Sequence, residues 1–167
     1  LIEGVRSGNL ENRGDPDAFV GDWRKLVLGV NQLIEAFVAP ISMTEKYIDR
    51  ISRGDIPEKI RNVYKGDFNR TRDDLNKLIR NISDFLKEMD GLIEGVRSGN
   101  LENRGNPDAF VGDWRKLVVG VNDLIDAFVG PINMTANCIR RISESDIPEK
   151  ISEEYNGDFN QIRNNLN

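Results

Sequence analysis

Apolar residues recur along this chain at alternating steps of three and four positions. Such spacing places them in one narrow stripe along an α-helix, like the a and d positions of a coiled coil. Charged and polar residues fill the positions between them. The pattern predicts an all-α fold whose helices pack through an apolar seam. The predicted seam residues are Trp23, Leu26, Val30, Leu33, Phe37, Ile41, Thr44, Ile48, Ile51, Phe68, Leu75, Leu78, Ile82, Leu86, Met89, Ile93, Val96, Trp114, Leu117, Val121, Leu124, Phe128, Ile132, Ile139 and Ile142.

The chain repeats itself with a period of 91 residues. Residues 1–76 align without a gap to residues 92–167, and 56 of those 76 pairs are identical. A shorter period lies inside this one, because a Gly-Asp-aromatic triplet recurs every 45 or 46 residues, with Trp23, Phe68, Trp114 and Phe159 as its aromatics. Such periods are typical of arrays of one small supersecondary unit.

The two periods predict four units in two alternating types, A and B. We place a type A unit at residues 1–38, a type B unit at 39–84, a type A unit at 85–129 and a type B unit at 130–167. The first has lost most of its opening helix and the last is cut inside its second. We therefore expect the chain to be a piece of a longer protein.

Each unit is predicted to be a helix, an extended connector and a second helix. Glycines at the left-handed C′ position end the first helices at Gly8, Gly54 and Gly99, while Ser145 occupies that position in the fourth unit. Asp22, Asp67, Asp113 and Asp158 are plausible N-caps of the second helices.

Apolar anchors are predicted to pin each connector to the helices. One anchor lies two residues after the C′ position, and type B connectors carry another four residues later. The predicted anchors are Leu10, Ile56, Ile60, Leu101, Ile147 and Ile151. Type A connectors are one residue longer, and our interpretation is that Ala18 or Phe19 provides the second anchor there.

The seam continues from each unit into the next. It steps by four from Phe37 to Ile41, and likewise from Ile82 to Leu86 and from Phe128 to Ile132, with no cluster of turn residues between. One continuous helix is therefore predicted across each junction, although Pro40 and Pro131 lie there. The extra step of four is a stutter, which locally unwinds a left-handed supercoil.

Composition removes several classes of function. The net charge is −5 and charges of both signs are interspersed, which argues against nucleic acid. One cysteine and no histidine make a disulfide or a zinc site implausible. No uninterrupted apolar run approaches the roughly 20 residues that cross a bilayer. Adjacent carboxylates do not face one another on a helix, so no catalytic pair is predicted.

The motif resembles the HAMP signalling domain. Gly54 through Ile60 matches the glycine-x-apolar-x3-apolar connector, and Pro40, Asp67 and Leu75 through Leu78 match the remaining signature positions. Alternating units resemble the poly-HAMP arrays of bacterial methyl-accepting chemotaxis receptors and sensor histidine kinases.

The resemblance implies a parallel homodimer of stacked four-helix bundles joined by continuous helices. It implies a cytoplasmic relay, not an enzyme, between the input and output domains of a parent that could be an inner-membrane receptor. No cofactor, metal, nucleic acid or small-molecule substrate is expected, and membrane contact is expected only through segments outside this chain. Two alternatives stay open: a passive coiled-coil spacer rod and a monomeric helical-repeat binding scaffold.

Three threonines in the seam have two interpretations. Thr44, Thr71 and Thr135 either set the register as polar layers or loosen the packing so that helices can shift. Cys138 is interpreted as a small residue at a flanking position, where the other type B unit has Tyr47.

Overall fold

The computed structural model describes residues 1–167 and contains helices but no β-strand, which confirms the all-α prediction. Two single 3-10 turns, Pro16–Ala18 and Pro107–Ala109, lie in the type A connectors. The α-helices are α1 (Ile2–Arg6), α2 (Gly21–Ser52), α3 (Asp67–Arg97), α4 (Asp113–Ser143) and α5 (Gly157–Leu166).

The three long helices run through the predicted junctions between units. α2 and α4 continue across Pro40 and Pro131, and both prolines are buried. A proline inside a helix lacks one N–H donor and normally kinks or breaks the helix, so packing around the ring must outweigh that loss. The prediction of continuous helices is confirmed.

The chain divides into two compact halves, Leu1–Ser83 and Asp84–Asn167, which are called unit 1 and unit 2 from here on. The four predicted repeats are called type A and type B segments. Unit 1 contains α1, α2 and the first part of α3, while unit 2 contains the rest of α3 with α4 and α5. Each therefore contains a type A segment followed by a type B segment.

The two helices of the type B segment in unit 1 run in the same direction. The Phe68 ring at the start of α3 meets Phe37 edge-on, with ring centroids 5.5 Å apart. One turn further along both helices, Ile41 and Thr71 line the same groove. Unit 2 repeats the arrangement between Phe128 and Phe159 at 5.6 Å. Parallel helices explain why the connectors are long, since the chain must return to the starting end.

The first helix of every type A and type B segment ends in a Schellman motif. At the end of α2 the Gly54 N–H donates to the Ile51 carbonyl at 2.9 Å, and the Asp55 N–H donates to Arg50 at 3.0 Å. This geometry requires the left-handed region, and Gly54 has a φ of 80°. Ser145 adopts the same conformation with a φ of 62° and the same two hydrogen bonds. Helix α4 therefore ends at the equivalent position without a glycine.

The predicted aspartate N-caps are wrong. α2, α4 and α5 have no side-chain cap hydrogen bond, and Asp22, Asp113 and Asp158 lie within the first turn. The reason is the preceding glycine, which starts the helix with a positive φ, as at Gly112 with 60°. A carboxylate in the first turn still interacts favourably with the helix dipole.

The packing core within one chain is a second stripe beside the predicted seam. It faces the connector and the neighbouring helix, and Val118 is its most enclosed member with 0% exposure. The stripe widens the apolar face beyond a strict a/d pattern, as globular helices commonly do. The buried apolar side chains are Ile34, Ile60, Leu75, Ile79, Leu92, Phe110, Val118, Val129 and Cys138. Cys138 is therefore a packing residue and not a flanking one.

Candidate functional site

An asparagine at the second helix clamps the connector in each of the four segments. The Ile60 N–H donates to Asn76 Oδ1 at 2.7 Å, and Asn76 Nδ2 donates to the Ile60 carbonyl at 3.1 Å. The same two bonds join Asn31 to Gly14, Asn122 to Gly105 and Asn167 to Ile151. Both backbone groups of the connector residue are thereby satisfied away from any sheet or helix.

In the sequence these asparagines are visible only as part of the repeat, where they follow Val30, Leu75, Val121 and Leu166. Their recurrence at one position after an apolar residue was the available signal. The clamp itself could not be derived, because its partner lies 16 or 17 residues earlier and is bound through its backbone.

The two types of unit fill the space beside the clamp differently. In type B the clamped residue is Ile60, 4% exposed, and the helix residue four before the asparagine is Arg72. In type A the clamped residue is a glycine, and the matching helix residue is a valine. A Cβ added to Gly105 would lie 2.8 Å from Cγ1 of Val118. The apolar side chain is thus supplied by the connector in type B and by the helix in type A.

The second anchor that we assigned to Ala18 or Phe19 differs between the two type A segments. Both residues are exposed in unit 1, and the clamped backbone there belongs to Gly14. In unit 2 Phe110, the copy of Phe19, is 8% exposed and packs edge-on against Phe85 with centroids 6.2 Å apart.

The other connector anchors differ in burial. Ile56, Leu10, Leu101 and Ile151 are half-buried. Ile147 differs from expectation, because it is 85% exposed and no part of its own chain covers it.

Most of the predicted seam is exposed in the single chain. Trp23 is 69% exposed, Leu33 61% and Leu124 58%. Fully burying one such side chain contributes roughly 1.5–3 kcal/mol. Covering the whole exposed seam would therefore be strongly favourable. The exposed seam residues are Trp23, Leu26, Leu33, Phe37, Ile41, Ile48, Leu78, Leu86, Ile93, Val96, Leu117, Leu124, Phe128, Ile132, Ile139 and Ile142. Leu75 is buried and the other eight are half-buried.

The threonine hydroxyls bond to their own helices. Thr44 Oγ1 donates to the Pro40 carbonyl at 2.9 Å, Thr135 Oγ1 to Pro131 at 2.8 Å, and Thr71 Oγ1 to Asp67 at 3.4 Å. A hydroxyl satisfied in this way does not need a partner across the seam.

The ends of the type B first helices are reinforced by forked ion pairs. Arg50 binds both carboxylate oxygens of Asp55, with Nε to Oδ2 at 2.6 Å and Nη2 to Oδ1 at 3.1 Å. Arg141 and Asp146 repeat this at 2.7 and 3.1 Å. The hydrogen bond from arginine holds the pKa of Asp55, and that of Asp146, below the usual value for a carboxyl. No three Cys, Asp or Glu side chains converge to hold a metal ion.

α2 and α4 are long enough and apolar enough in composition to cross a membrane. Our expectation of no such segment was too strict, because it counted uninterrupted apolar runs. A helix that packs in a bundle core has the same composition, and each of these helices carries a carboxylate near its middle. Glu35 pairs with Arg13 at 2.7 Å, and Asp126 pairs with Arg104 at 2.5 Å. Intramembrane carboxylates are costly.

Parallel helix pairs, a connector clamped by an asparagine and an exposed apolar seam together define one class of helical module. The family model described as HAMP domain matches residues 18–84 and 109–167. The two matches begin 91 residues apart, which is the repeat period. The chain belongs to the HAMP domain family and contains HAMP domains in tandem. These are non-catalytic signal-relay modules of receptors and kinases. No solved structure matches the chain.

Proposed function

We propose that this chain relays conformational signals between the input and output domains of a dimeric bacterial receptor or kinase. The observation that carries the proposal is the set of exposed seam residues on α2, α3 and α4, which the chain itself leaves uncovered. A second parallel copy would cover it and form a stack of four-helix bundles. The units would be those at residues 1–38, 39–84, 85–129 and 130–167.

The alternation of unit types supports a relay rather than a uniform rod. Type A and type B segments place different side chains beside the asparagine clamp, as Val118 and Ile60 show. Packed helices with two discrete arrangements can transmit a change along their length. The connector anchors and seam residues would carry that change, and the glycines at the helix ends would permit the connector turn.

The family supports a proposal for the location of the segment. HAMP domains are typically cytoplasmic and adjacent to the membrane in receptors. We place this segment in the cytoplasm, with membrane contact through other parts of the parent protein. The apolar faces of α2 and α4 then serve the bundle core. The enzymatic activity, if the parent has one, would belong to its output domain.

A chimeric kinase tests the relay directly. The chain would be inserted between the sensor and catalytic domains of a dimeric histidine kinase, and Ile56→Ala would be compared with Val63→Ala. Val63 lies on the same connector and is 82% exposed, so it controls for a generic apolar truncation. We expect Ile56→Ala to change basal kinase output while thermal unfolding stays cooperative.

A passive spacer rod predicts a different result. Its output would change only when the segment unfolds, so unaltered output in a folded Ile56→Ala chimera contradicts the relay. An equal change from Val63→Ala contradicts the role of the anchor.

A further inference from the structure

The type B segment of unit 1 has a cationic groove that the type A segments lack. It lies between the connector and the first part of α3 in unit 1, and it is open to solvent. Lys59 and Arg61 line it from the connector, and Arg72, Lys77 and Arg80 line it from the helix, with Asp73 the single carboxylate. The whole chain is acidic, with a net charge of −5, so this cluster runs against the overall field.

Two of the five cations have no ionic partner in the chain. Arg72 pairs with Asp73 at 2.6 Å, Arg61 with Glu58 at 3.0 Å and Lys77 with Asp74 at 2.9 Å. Lys59 and Arg80 form no salt bridge, although both line the groove and both are exposed.

In the type A segments, the two positions that correspond to Lys59 and Arg80 form an ion pair. The residue before the clamped position is Arg13 or Arg104 there, and the residue four after the clamp asparagine is Glu35 or Asp126. Each arginine pairs with the carboxylate across the groove, at 2.7 and 2.5 Å. Lys59 and Arg80 occupy these two positions in type B. Where the type A segments have an ion pair, this type B segment therefore has two positive charges that face an open groove.

The groove stays accessible when the seam is covered. Arg72, Asn76 and Arg80 follow one another at steps of four on α3, whereas the seam residues Leu75 and Leu78 lie on a different face of the same helix. A second copy packed on the seam would leave this outer face free.

We propose that this groove binds an acidic polypeptide segment. Arginine pairs well with carboxylates through its planar fork. From Arg72 to Arg80 the helix rises about 12 Å, which matches roughly four residues of an extended peptide. A flat anionic membrane does not fit a cleft between a connector and a helix, and nucleic acid would require a longer cationic track. The site goes beyond the relay, because it would let an acidic partner act on one unit.

The test uses a fluorescent hexaglutamate peptide titrated into the whole chain at near-physiological ionic strength. Lys59→Gln with Arg80→Gln should weaken binding about tenfold, the loss of two exposed ion pairs of ordinary strength. The matched control is Lys65→Gln with Arg70→Gln, which removes the same charge from the same connector and helix at exposed positions outside the groove. It should leave the affinity unchanged.

Three results would overturn the proposal. The first is no binding of the peptide to the wild-type chain, and the second is an equal loss in the control variant. The third is binding to vesicles of anionic lipid that depends on Lys59 and Arg80 while the peptide does not bind, which would assign the groove to a lipid surface. Circular dichroism should show the same helix content in all variants, since every substituted residue is exposed.

Discussion

A single asparagine side chain decides where each connector lies. Asn76 supplies both an acceptor and a donor to the backbone of Ile60, so its loss leaves two part-buried polar groups without partners. We expect Asn76→Ala to destabilise the fold by roughly 1–3 kcal/mol, the usual cost of unsatisfied buried hydrogen-bonding groups. Urea unfolding at fixed protein concentration measures the change.

The control for the clamp is Asn81→Ala on the same helix. Asn81 is exposed and forms no side-chain hydrogen bond. A loss in Asn81→Ala as large as in Asn76→Ala would show that the clamp has no special role.

Gly105 is held at its position by the side chain of Val118. An added Cβ would lie 2.8 Å from Val118 Cγ1 and 3.3 Å from Leu92 Cδ1, in a region where Val118 is fully buried. We expect Gly105→Ala to cost roughly 1–3 kcal/mol through overpacking. Thermal unfolding of Gly105→Ala, Val118→Ala and the double variant should show coupling, because the smaller helix residue makes room for the new methyl group.

Gly120→Ala is the matched control for this substitution. Nothing lies within 4 Å of a Cβ added there in the interior of α4, so a gain of about 0.5–1 kcal/mol is expected from helix propensity. Strictly additive effects of Gly105→Ala and Val118→Ala would contradict the close approach.

Among the secondary-structure elements, the helices could be predicted from the sequence, whereas the residues at which the second helices begin could not. The stripe of three and four steps predicted helices that continue through Pro40 and Pro131, because continuity of the seam outweighed the proline signal. The true start of each second helix was missed, since the positive φ of residues such as Gly112 is a backbone property that sequence spacing does not reveal. The second stripe, with Ile79 and Val118, was visible as a periodic pattern that a strict a/d interpretation ignored.

The two type B helix ends offer a matched exchange at one structural position. Ser145 holds the left-handed conformation that Gly54 holds in the other segment, and a non-glycine residue there is strained by roughly 1 kcal/mol or more. Glycine also loses more backbone entropy on folding, which offsets part of the gain. We expect Ser145→Gly to stabilise the chain by about 0.5 kcal/mol and Gly54→Ser to destabilise it by a similar amount.

Thermal melts of the two single variants and of the exchange variant test this expectation. The exchange variant should resemble the wild type. The reverse result, in which Ser145→Gly destabilises the chain and Gly54→Ser stabilises it, would show that unfolded-state entropy outweighs the strain.

The forked ion pairs make these helix ends sensitive to acid. The pKa of Asp55 is lowered by the hydrogen bond from Arg50, and that of Asp146 by the bond from Arg141, from a usual value of 3.8. A carboxyl whose pKa is lower in the folded state contributes its stability above the unfolded pKa, and that contribution is lost as the pH falls through the folded pKa. Stability should therefore decline below about pH 4, with protonation of these carboxyls as one cause.

The double variant Asp55→Asn with Asp146→Asn isolates this contribution. It should melt at a lower temperature than the wild type at pH 7, and the difference should vanish once the wild-type carboxyls are protonated. Asp90→Asn, at an exposed residue without an ion pair, should leave the pH 7 melting temperature nearly unchanged. A difference that persists in strong acid would exclude the ion pairs as its source.

For the whole molecule, the exposed seam predicts that the folded species is a dimer. Sixteen of the twenty-five predicted seam residues are exposed in the single chain, among them Trp23 and Leu124. Sedimentation equilibrium should give a mass of about twice 18.9 kDa over a wide concentration range. A folded chain that stays monomeric at high concentration would contradict both the dimer and the relay, and would favour a helical-repeat scaffold.

Orientation of the two copies follows from crosslinking in a Cys138→Ser background. Leu78→Cys lies on the seam and is 40% exposed in the single chain, so in a parallel, in-register dimer it meets its own copy and oxidises to a covalent dimer. Lys77→Cys is its neighbour on another face and should remain a thiol. In an antiparallel dimer the two Leu78 positions would be far apart. Equal crosslinking at both positions would indicate random collision, whereas a selective bond at Leu78 requires parallel helices across the interface and makes the seam the surface through which one copy responds to the other.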